Sequence, residues 1–156
     1  MITIRDYQHS DAPEMWQLKF QTIRTVNIKD YTFEQVSAWA PDGFDMVVWQ
    51  KRVDDMKPFV AEFEGKIVGF ADLQKDGYID HFFCHAEYQG IGVGRLLMEH
   101  LFTKGRRLGI KRYYSHVSIT ARPFYEHLGF RVVAKQQVDV RGQQLTNFIM
   151  ETSGQD

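Results

Sequence analysis

The chain has 156 residues, a formal charge of −1 and 44% hydrophobic residues. This length is typical of one domain, the apolar content is too high for a disordered chain, and the near-neutral charge gives no overall reason to expect a nucleic-acid partner. The one cysteine, Cys84, excludes an intramolecular disulfide and a cysteine metal cluster, and no apolar stretch reaches the length of a membrane span. We therefore expect a single cytoplasmic domain over residues 1–156, with no membrane partner and no metal.

The first part of the chain predicts one strand followed by helices. The stretch "ITIRDY" alternates like a strand, and a helix is then predicted over residues 10–28. A second helix begins at Thr32, which has capping-box spacing with Gln35, and it ends at the stop signal "APDG". A further short helix is predicted over residues 44–53.

From Pro58 the hydrophobic period changes to two. The stretch "PFVAEFEGKIVGFADLQKDGYIDHFFCH" predicts three strands of an antiparallel meander, joined by tight turns at "EG" and "KDG". A glycine run then leads into a helix to about Arg107, whose inner stripe is predicted to hold Val93, Leu97, Leu101 and Leu108. The remaining elements are a strand over 112–117, a helix over 120–128, and strands over 130–137 and 145–151. The predicted order is β-α-α-β-β-β-α-β-α-β-β, an α+β layer sandwich.

The stretch "EYQGIGVGRLLMEHL", residues 87–101, has three glycines at alternate positions between a strand and a helix. Free amides and a positive dipole at the start of a helix bind phosphate, and glycines let an anion approach. A dinucleotide fingerprint would need a third glycine where Arg95 or Leu97 stands, and a P-loop would need Lys after Gly94. Both nucleotide-binding interpretations therefore fail, although a phosphate site of another kind fits.

The pattern Gln89-x-x-Gly92-x-Gly94 after a strand resembles the acyl-CoA signature of the GNAT superfamily of N-acetyltransferases. A second stretch, "SITARPFYEHLGF" at 118–130, is similar to another marker of that family. The resemblance covers roughly residues 4–150. It implies a GNAT-like fold, with a mixed, mostly antiparallel sheet of about seven strands and helices on both faces.

The resemblance also implies acetyl-CoA as co-substrate and assigns the residues that hold it. The amides from Gly90 to Arg95 would bind the pyrophosphate, and the main chain at the end of the fourth strand would polarise the thioester carbonyl. Family members often carry Lys or Arg where this chain has Ile91, and Pro where it has Ala86. These two differences bear on how tightly CoA binds more than on whether CoA is the ligand. The expected cofactor-binding residues are Phe83, Cys84, Gln89, Gly90, Ile91, Gly92, Val93, Gly94, Arg95 and Ser118.

Tyr125 matches the general acid of the family, which protonates the departing thiolate. The Cys84 side chain is expected to pack as a small hydrophobe and not to act as a nucleophile. A base is predicted at Asp80 and His81, which strand alternation places on opposite faces. The alternative is a structural, hydrogen-bonded Asp80 and a surface His81.

The resemblance places the acceptor pocket in the first helices, where we assign Arg24, Tyr31 and Trp39. Aromatic rings with an acidic neighbour suit a cationic amine. A small-molecule amine and a protein or peptide amine both remain open, as does a homodimer. The expected function is acetyl transfer from acetyl-CoA to a primary amine by direct attack in a ternary complex.

Two other classes of function compete with this one. A non-catalytic acyl-CoA-binding module would keep the glycine loop without needing Tyr125. A nucleic-acid-binding protein would use a local basic cluster, but cations there more simply complement a helix end or meet the 3′-phosphate of CoA, so we expect no nucleic-acid partner. The residues of this basic cluster are Lys104, Arg106, Arg107, Lys111 and Arg112.

Overall fold

Three helices follow the first strand, and the third corresponds to the further short helix predicted over residues 44–53, which the predicted order leaves out. The computed structural model describes residues 1–154. The first elements are β1 at Thr3–Asp6, α1 at Ala12–Thr25, α2 at Phe33–Trp39 and α3 at Met46–Met56. The capping box of α2 is confirmed, since Thr32 Oγ1 accepts a hydrogen bond from the Gln35 amide and Gln35 Oε1 accepts one from the Thr32 amide.

The meander forms a first, antiparallel sheet. β2 spans Phe59–Phe63, β3 spans Lys66–Ala71 and β5 spans Phe82–Cys84, in the spatial order β1-β2-β3-β5. The predicted turn between β2 and β3 is confirmed, with positive φ at both Glu64 and Gly65. Both values suit the tight turns that join antiparallel strands.

The third predicted strand is not continuous. It divides into β4 at Tyr78–Ile79 and β5, with Asp80 and His81 between them. β4 pairs in parallel with the later strand β6, Tyr113–Ser118, whereas β5 pairs antiparallel with β3. The alternative of a surface His81 is wrong, because that side chain is only 6% exposed while Asp80 faces solvent.

A buried carboxylate holds the chain where the strand divides. Asp72 has no solvent exposure, and its Oδ1 accepts hydrogen bonds of 2.8 Å from the amides of both Asp80 and His81. Its second oxygen accepts a hydrogen bond from the Gln74 amide group. Two consecutive amides that would otherwise continue a strand are therefore satisfied by one side chain.

The second half of the chain builds the second sheet and two more helices. α4 is Val93–Arg107, α5 is Arg122–His127, β7 is Arg131–Val140 and β8 is Gln143–Thr152. The second sheet has the order β4-β6-β8-β7, and its β6–β8 and β7–β8 pairs are antiparallel. Over residues 1–154 the structure thus has eight strands in two sheets, where the sequence predicted about seven in one mixed sheet.

Helices cover both faces of the first sheet, as expected. Val60 and Phe70 pack against α1 and α3, and Ala61 and Ala71 pack against α4. The predicted stripe of α4 is buried except for Leu108, which is 68% exposed because the helix has already ended there. Within residues 1–154, no helix is long and apolar enough to cross a membrane.

The Asp72 carboxylate makes stability depend on pH in a direction opposite to that of most acids. Burial raises its pKa from 3.8 to about 6, so the folded chain keeps a proton between pH 4 and 6 that the unfolded chain releases. We expect the free energy of unfolding of the wild type, minus that of Asp72→Asn, to fall by about 2–3 kcal/mol as the pH rises through this range. Urea denaturation at several pH values measures the difference, and a flat difference would contradict the assignment.

Candidate active site

The two sheets separate at one end, and a cavity opens there. β5 remains with β3, while β6 pairs with β4 only through its first half, at Tyr114 and Ser115. The cavity has a volume of about 880 Å³. Its walls include β5, the second half of β6, the glycine loop, one face of α1 and the start of α5. A cleft between splayed strands therefore brings many of the predicted site residues together around one concave surface.

The glycine loop connects β5 to α4 along this cavity. Gln89 Nε2 donates to the carbonyl oxygens of Cys84 and His85, at 3.0 and 3.2 Å, so the Gln89 side chain shapes the loop itself. Gly90 and Gly92 have φ of +78° and +96°, a left-handed conformation that favours glycine. A Cβ at either position would meet no atom within 4 Å among residues 1–154, so this stretch of backbone stays open.

The first turn of α4 presents free amides beside the open loop. The first helical hydrogen bond runs from the Leu96 amide to Gly92 O, at 3.1 Å, so the amides of Val93, Gly94 and Arg95 have no acceptor within the helix. Gly90, Gly92, Val93, Gly94 and Arg95 all line the cavity. Ile91 is not among the lining residues and is 51% exposed.

The missing side chain of Gly94 makes room for packing. A Cβ there would lie 2.7 Å from Cζ of Phe124 and 3.4 Å from Sγ of Cys84. Burial raises the pKa of the Cys84 thiol to about 12, which keeps it protonated. The Cys84 side chain therefore behaves as a packed thiol, in agreement with the sequence interpretation.

Tyr125 stands on α5 at the inner wall of the cavity. Its side chain is 3% exposed and packs edge-on against Phe82 and Phe130, with ring centroids 5.8 and 4.9 Å away. Burial raises the pKa of its phenol well above the usual value, and a hydrogen bond with Ser115 opposes this in part. The hydroxyl is thus protonated at neutral pH, and its catalytic role stays a prediction.

A buried cationic side chain was missed by the sequence analysis. Lys19 lies in the middle of α1, lines the cavity and is 7% exposed, and its Nζ is 3.1 Å from Nε2 of His81. Burial lowers the pKa of Lys19 to about 7 and that of His81 to about 4. The sequence did contain a signal for this burial, because Lys19 follows Trp16 by three residues and so falls on the apolar face of the predicted helix.

The predicted acceptor residues occupy different places. Tyr31 and Trp39 line the cavity, and the Tyr31 hydroxyl donates to Thr146 O at 2.6 Å. Arg24 is not among the lining residues, and its guanidinium donates to Ala40 O at 3.0 and 3.1 Å. The structure thus brings two of the three predicted acceptor residues to the cavity.

Ser118 and the basic cluster also differ in their relation to the cavity. Ser118 lines it, and its Oγ accepts hydrogen bonds from Asn27 Nδ2 and the Ala121 amide, at 3.3 and 3.0 Å. None of the five residues of the basic cluster lines the cavity. Three of them form the last turn of α4, where cations complement the helix dipole.

Comparison with known proteins agrees with this geometry. A family model described as "Acetyltransferase (GNAT) domain" matches residues 27–152, and the chain therefore belongs to the GNAT acetyltransferase family. An uncharacterised N-acetyltransferase of Escherichia coli K12, YafP, is 32% identical over 149 residues, which are 96% of this chain and 94% of that protein. The predicted fold class and family are thus confirmed.

Solved structures share the fold. A GCN5-related N-acetyltransferase from Rhodopseudomonas palustris has a TM-score of 0.92 and 27% identity, covering 97% of this chain and 94% of its own. The putative acetyltransferase YncA from Salmonella typhimurium, solved with acetyl-CoA, has a TM-score of 0.72 and 18% identity over 100% and 95% of the two chains. PaiA from Thermoplasma acidophilum, solved with coenzyme A, has a TM-score of 0.75 and 17% identity over 98% and 99%.

The contact between Gly94 and Phe124 predicts a coupled pair of substitutions. Gly94→Ala should destabilise the protein by about 1–3 kcal/mol, because the new methyl group overlaps the Phe124 ring. Phe124→Leu should remove most of that cost in the double variant, as a urea-denaturation cycle would show. Gly90→Ala is the matched control: it meets no neighbour, strains only its positive φ, and should not couple to Phe124→Leu. Additive effects of Gly94→Ala and Phe124→Leu would contradict the packing role.

Proposed function

We propose that this protein transfers an acetyl group from acetyl-CoA to a primary amine by direct attack within a ternary complex. The observation that carries the proposal is that one cavity contains three features. They are the open glycine loop with the free amides of Val93, Gly94 and Arg95, which we call the cradle, the splayed strands, and a protonated tyrosine. The acetyl-CoA and coenzyme A complexes of YncA and PaiA, which share the fold, support it.

The cradle fits the pyrophosphate of coenzyme A on its own geometry. Three amides at the start of the 15-residue helix α4 lack helical acceptors, and the positive end of the helix dipole lies there. The open space above Gly90 and Gly92 leaves room for phosphate oxygens. Arg95 adds a positive charge at the cavity wall, where Ile91 supplies none.

The other residues of the cavity suit the chemistry of acyl transfer. The main chain of Phe83 and Cys84 polarises the carbonyl of the bound thioester, which supplies the activated acetyl group. Tyr125 donates its hydroxyl proton to the departing sulfur, a role for which a raised phenol pKa keeps the proton in place. Since Cys84 is a protonated, packed thiol, the amine itself is the nucleophile and no acyl-cysteine forms.

We place the acceptor against the part of the cavity wall that the first helices supply. Tyr31 and Trp39 form part of this wall, with their rings 5.7 Å apart and nearly perpendicular. Arg24 supports the wall from behind through its bonds to Ala40 O, in place of the direct contact expected from the sequence. The proposal covers small-molecule amines and peptide or protein amines alike.

Binding at the cradle predicts protection against heat. Acetyl-CoA at 100 times its dissociation constant should add ~2.7 kcal/mol to the free energy of unfolding, seen as a rise in melting temperature. Gly92→Glu should abolish that rise, because it puts a negative charge and a side chain into the open space of the loop. Gly65→Glu is the control, since it also has positive φ and open space but lies in the β2–β3 turn. A folded Gly92→Glu variant that is protected as strongly as wild type would place the cofactor elsewhere.

The role of Tyr125 is tested with Tyr125→Phe, which keeps the ring and removes the hydroxyl. We expect kcat to fall by about 10²–10⁴-fold with unchanged protection by acetyl-CoA, because a general acid acts in the chemical step. Thiol release is measured with an acceptor found in an amine panel, at saturating acetyl-CoA. A rate within a few-fold of wild type would remove Tyr125 as the acid. Protection by acetyl-CoA without turnover of any amine would instead favour a binding module.

A further inference from the structure

Lys19 is a buried amine in an aromatic enclosure. Its Nζ lies 5.7 Å from the ring centroid of Trp16, 5.1 Å from that of Trp49 and 5.6 Å from that of Phe83. Within residues 1–154, no carboxylate lies at ion-pair distance from Nζ. Such a lysine is costly to bury as a cation, and it still faces the cavity.

The hydrogen bond to His81 orients this amine. The pKa of His81 is lowered by burial and by the neighbouring Lys19, so the imidazole is neutral at physiological pH. Its Nδ1 lies 3.2 Å from Oδ2 of Asp80, and a carboxylate at this distance favours the proton on Nδ1. Nε2 is then an acceptor, and Lys19 donates one N–H to it.

The charged groups that face Lys19 shift its pKa in opposite directions. His81 and Asp80 approach from the segment between β4 and β5, Arg52 from α3, and Arg141 from the turn between β7 and β8. The two arginines favour the neutral amine and Asp80 favours the cation, but burial is the largest influence and lowers the pKa to about 7. Near neutral pH, a large part of the population therefore holds an unprotonated amine with a free lone pair.

We propose that Lys19 is the general base that takes a proton from the acceptor ammonium, and that His81 positions it. This rests on the proposed acetyl transfer. The neutral Nζ accepts one proton from R–NH₃⁺, and the resulting R–NH₂ forms the C–N bond as the C–S bond breaks. Tyr125 protonates the sulfur and regains a proton from the attacking nitrogen, and Lys19 releases its proton to water after product leaves. One proton is produced for each acetyl group transferred.

The geometry favours Lys19 over the pair predicted from the sequence. His81 is a weak base in this environment, and its Nε2 already accepts a hydrogen bond from Lys19. Asp80 also lines the cavity, but its side chain is 45% exposed, and its pKa is lowered below its usual value, chiefly by His81. A base with a pKa near the working pH is the most effective, which Lys19 satisfies.

Two substitutions at Lys19 separate a base from a fixed charge. Lys19→Arg keeps a cation and N–H donors but cannot accept a proton, whereas Lys19→Met keeps the length without any charge. We expect both to lower kcat/KM at pH 7 by about 10²–10⁴-fold. The defect should shrink as the pH approaches the pKa of the acceptor amine, because the amine then arrives unprotonated. Lys51→Arg, at an exposed position on α3, is the matched control.

Several outcomes would overturn the base assignment. Near-normal activity of Lys19→Arg with loss only in Lys19→Met would make Lys19 a charge that holds the substrate. A defect of the same size at every pH would make its role structural. Protection by acetyl-CoA should be unchanged in both variants, and Lys19→Met should melt no lower than wild type because it removes a buried amine.

A measurement independent of turnover separates this proposal from the proposed function. The ¹³Cε resonance of Lys19, identified by its absence in Lys19→Met, should titrate with a midpoint near pH 7. A midpoint near 10 would overturn the proposal even if the protein is an acetyltransferase. A wild type that acetylates no amine, with the midpoint still near 7, would instead reject the function and with it any role of Lys19 as a base.

Discussion

The hydrogen bonds that the Asp72 carboxylate accepts from the amides of Asp80 and His81 fix the arrangement on which the site depends. They end β4 after two residues and let the chain continue as β5 in the other sheet. The cleft exists because those two strands belong to different sheets. The same break turns the His81 ring inward, where its Nε2 contacts Lys19, and leaves Asp80 toward solvent.

This arrangement buries several ionisable side chains, and each of them lowers the stability of the fold. A buried carboxylate, a buried amine and a buried imidazole all have pKa values shifted toward their neutral forms, at Asp72, Lys19 and His81. Desolvation is the largest cause in each case, so apolar side chains at these positions would cost less free energy to bury. Perturbed groups gathered in a cavity are typical of catalytic sites, and here Lys19 and His81 both line the cavity.

The three glycines divide two tasks between them. Gly90 and Gly92 adopt positive φ and leave the backbone open, whereas Gly94 gives room to the Phe124 ring. That ring belongs to the same short helix as Tyr125, so close packing at Gly94 also sets the position of α5 against α4. One sequence pattern therefore shapes both the proposed phosphate site and the location of the proposed acid.

The sequence alone determined the features that depend on neighbours in the chain: the capping box at Thr32, the β2–β3 turn, the glycine loop and the family. The tertiary structure decided the break of the third meander strand, since the Asp72 side chain accepts the hydrogen bonds of the amides eight and nine residues later. It also decided the state of Lys19, whose partner His81 is 62 residues away. Periodicity reports which face of an element is apolar, but burial of a charge depends on contacts that only the assembled fold creates.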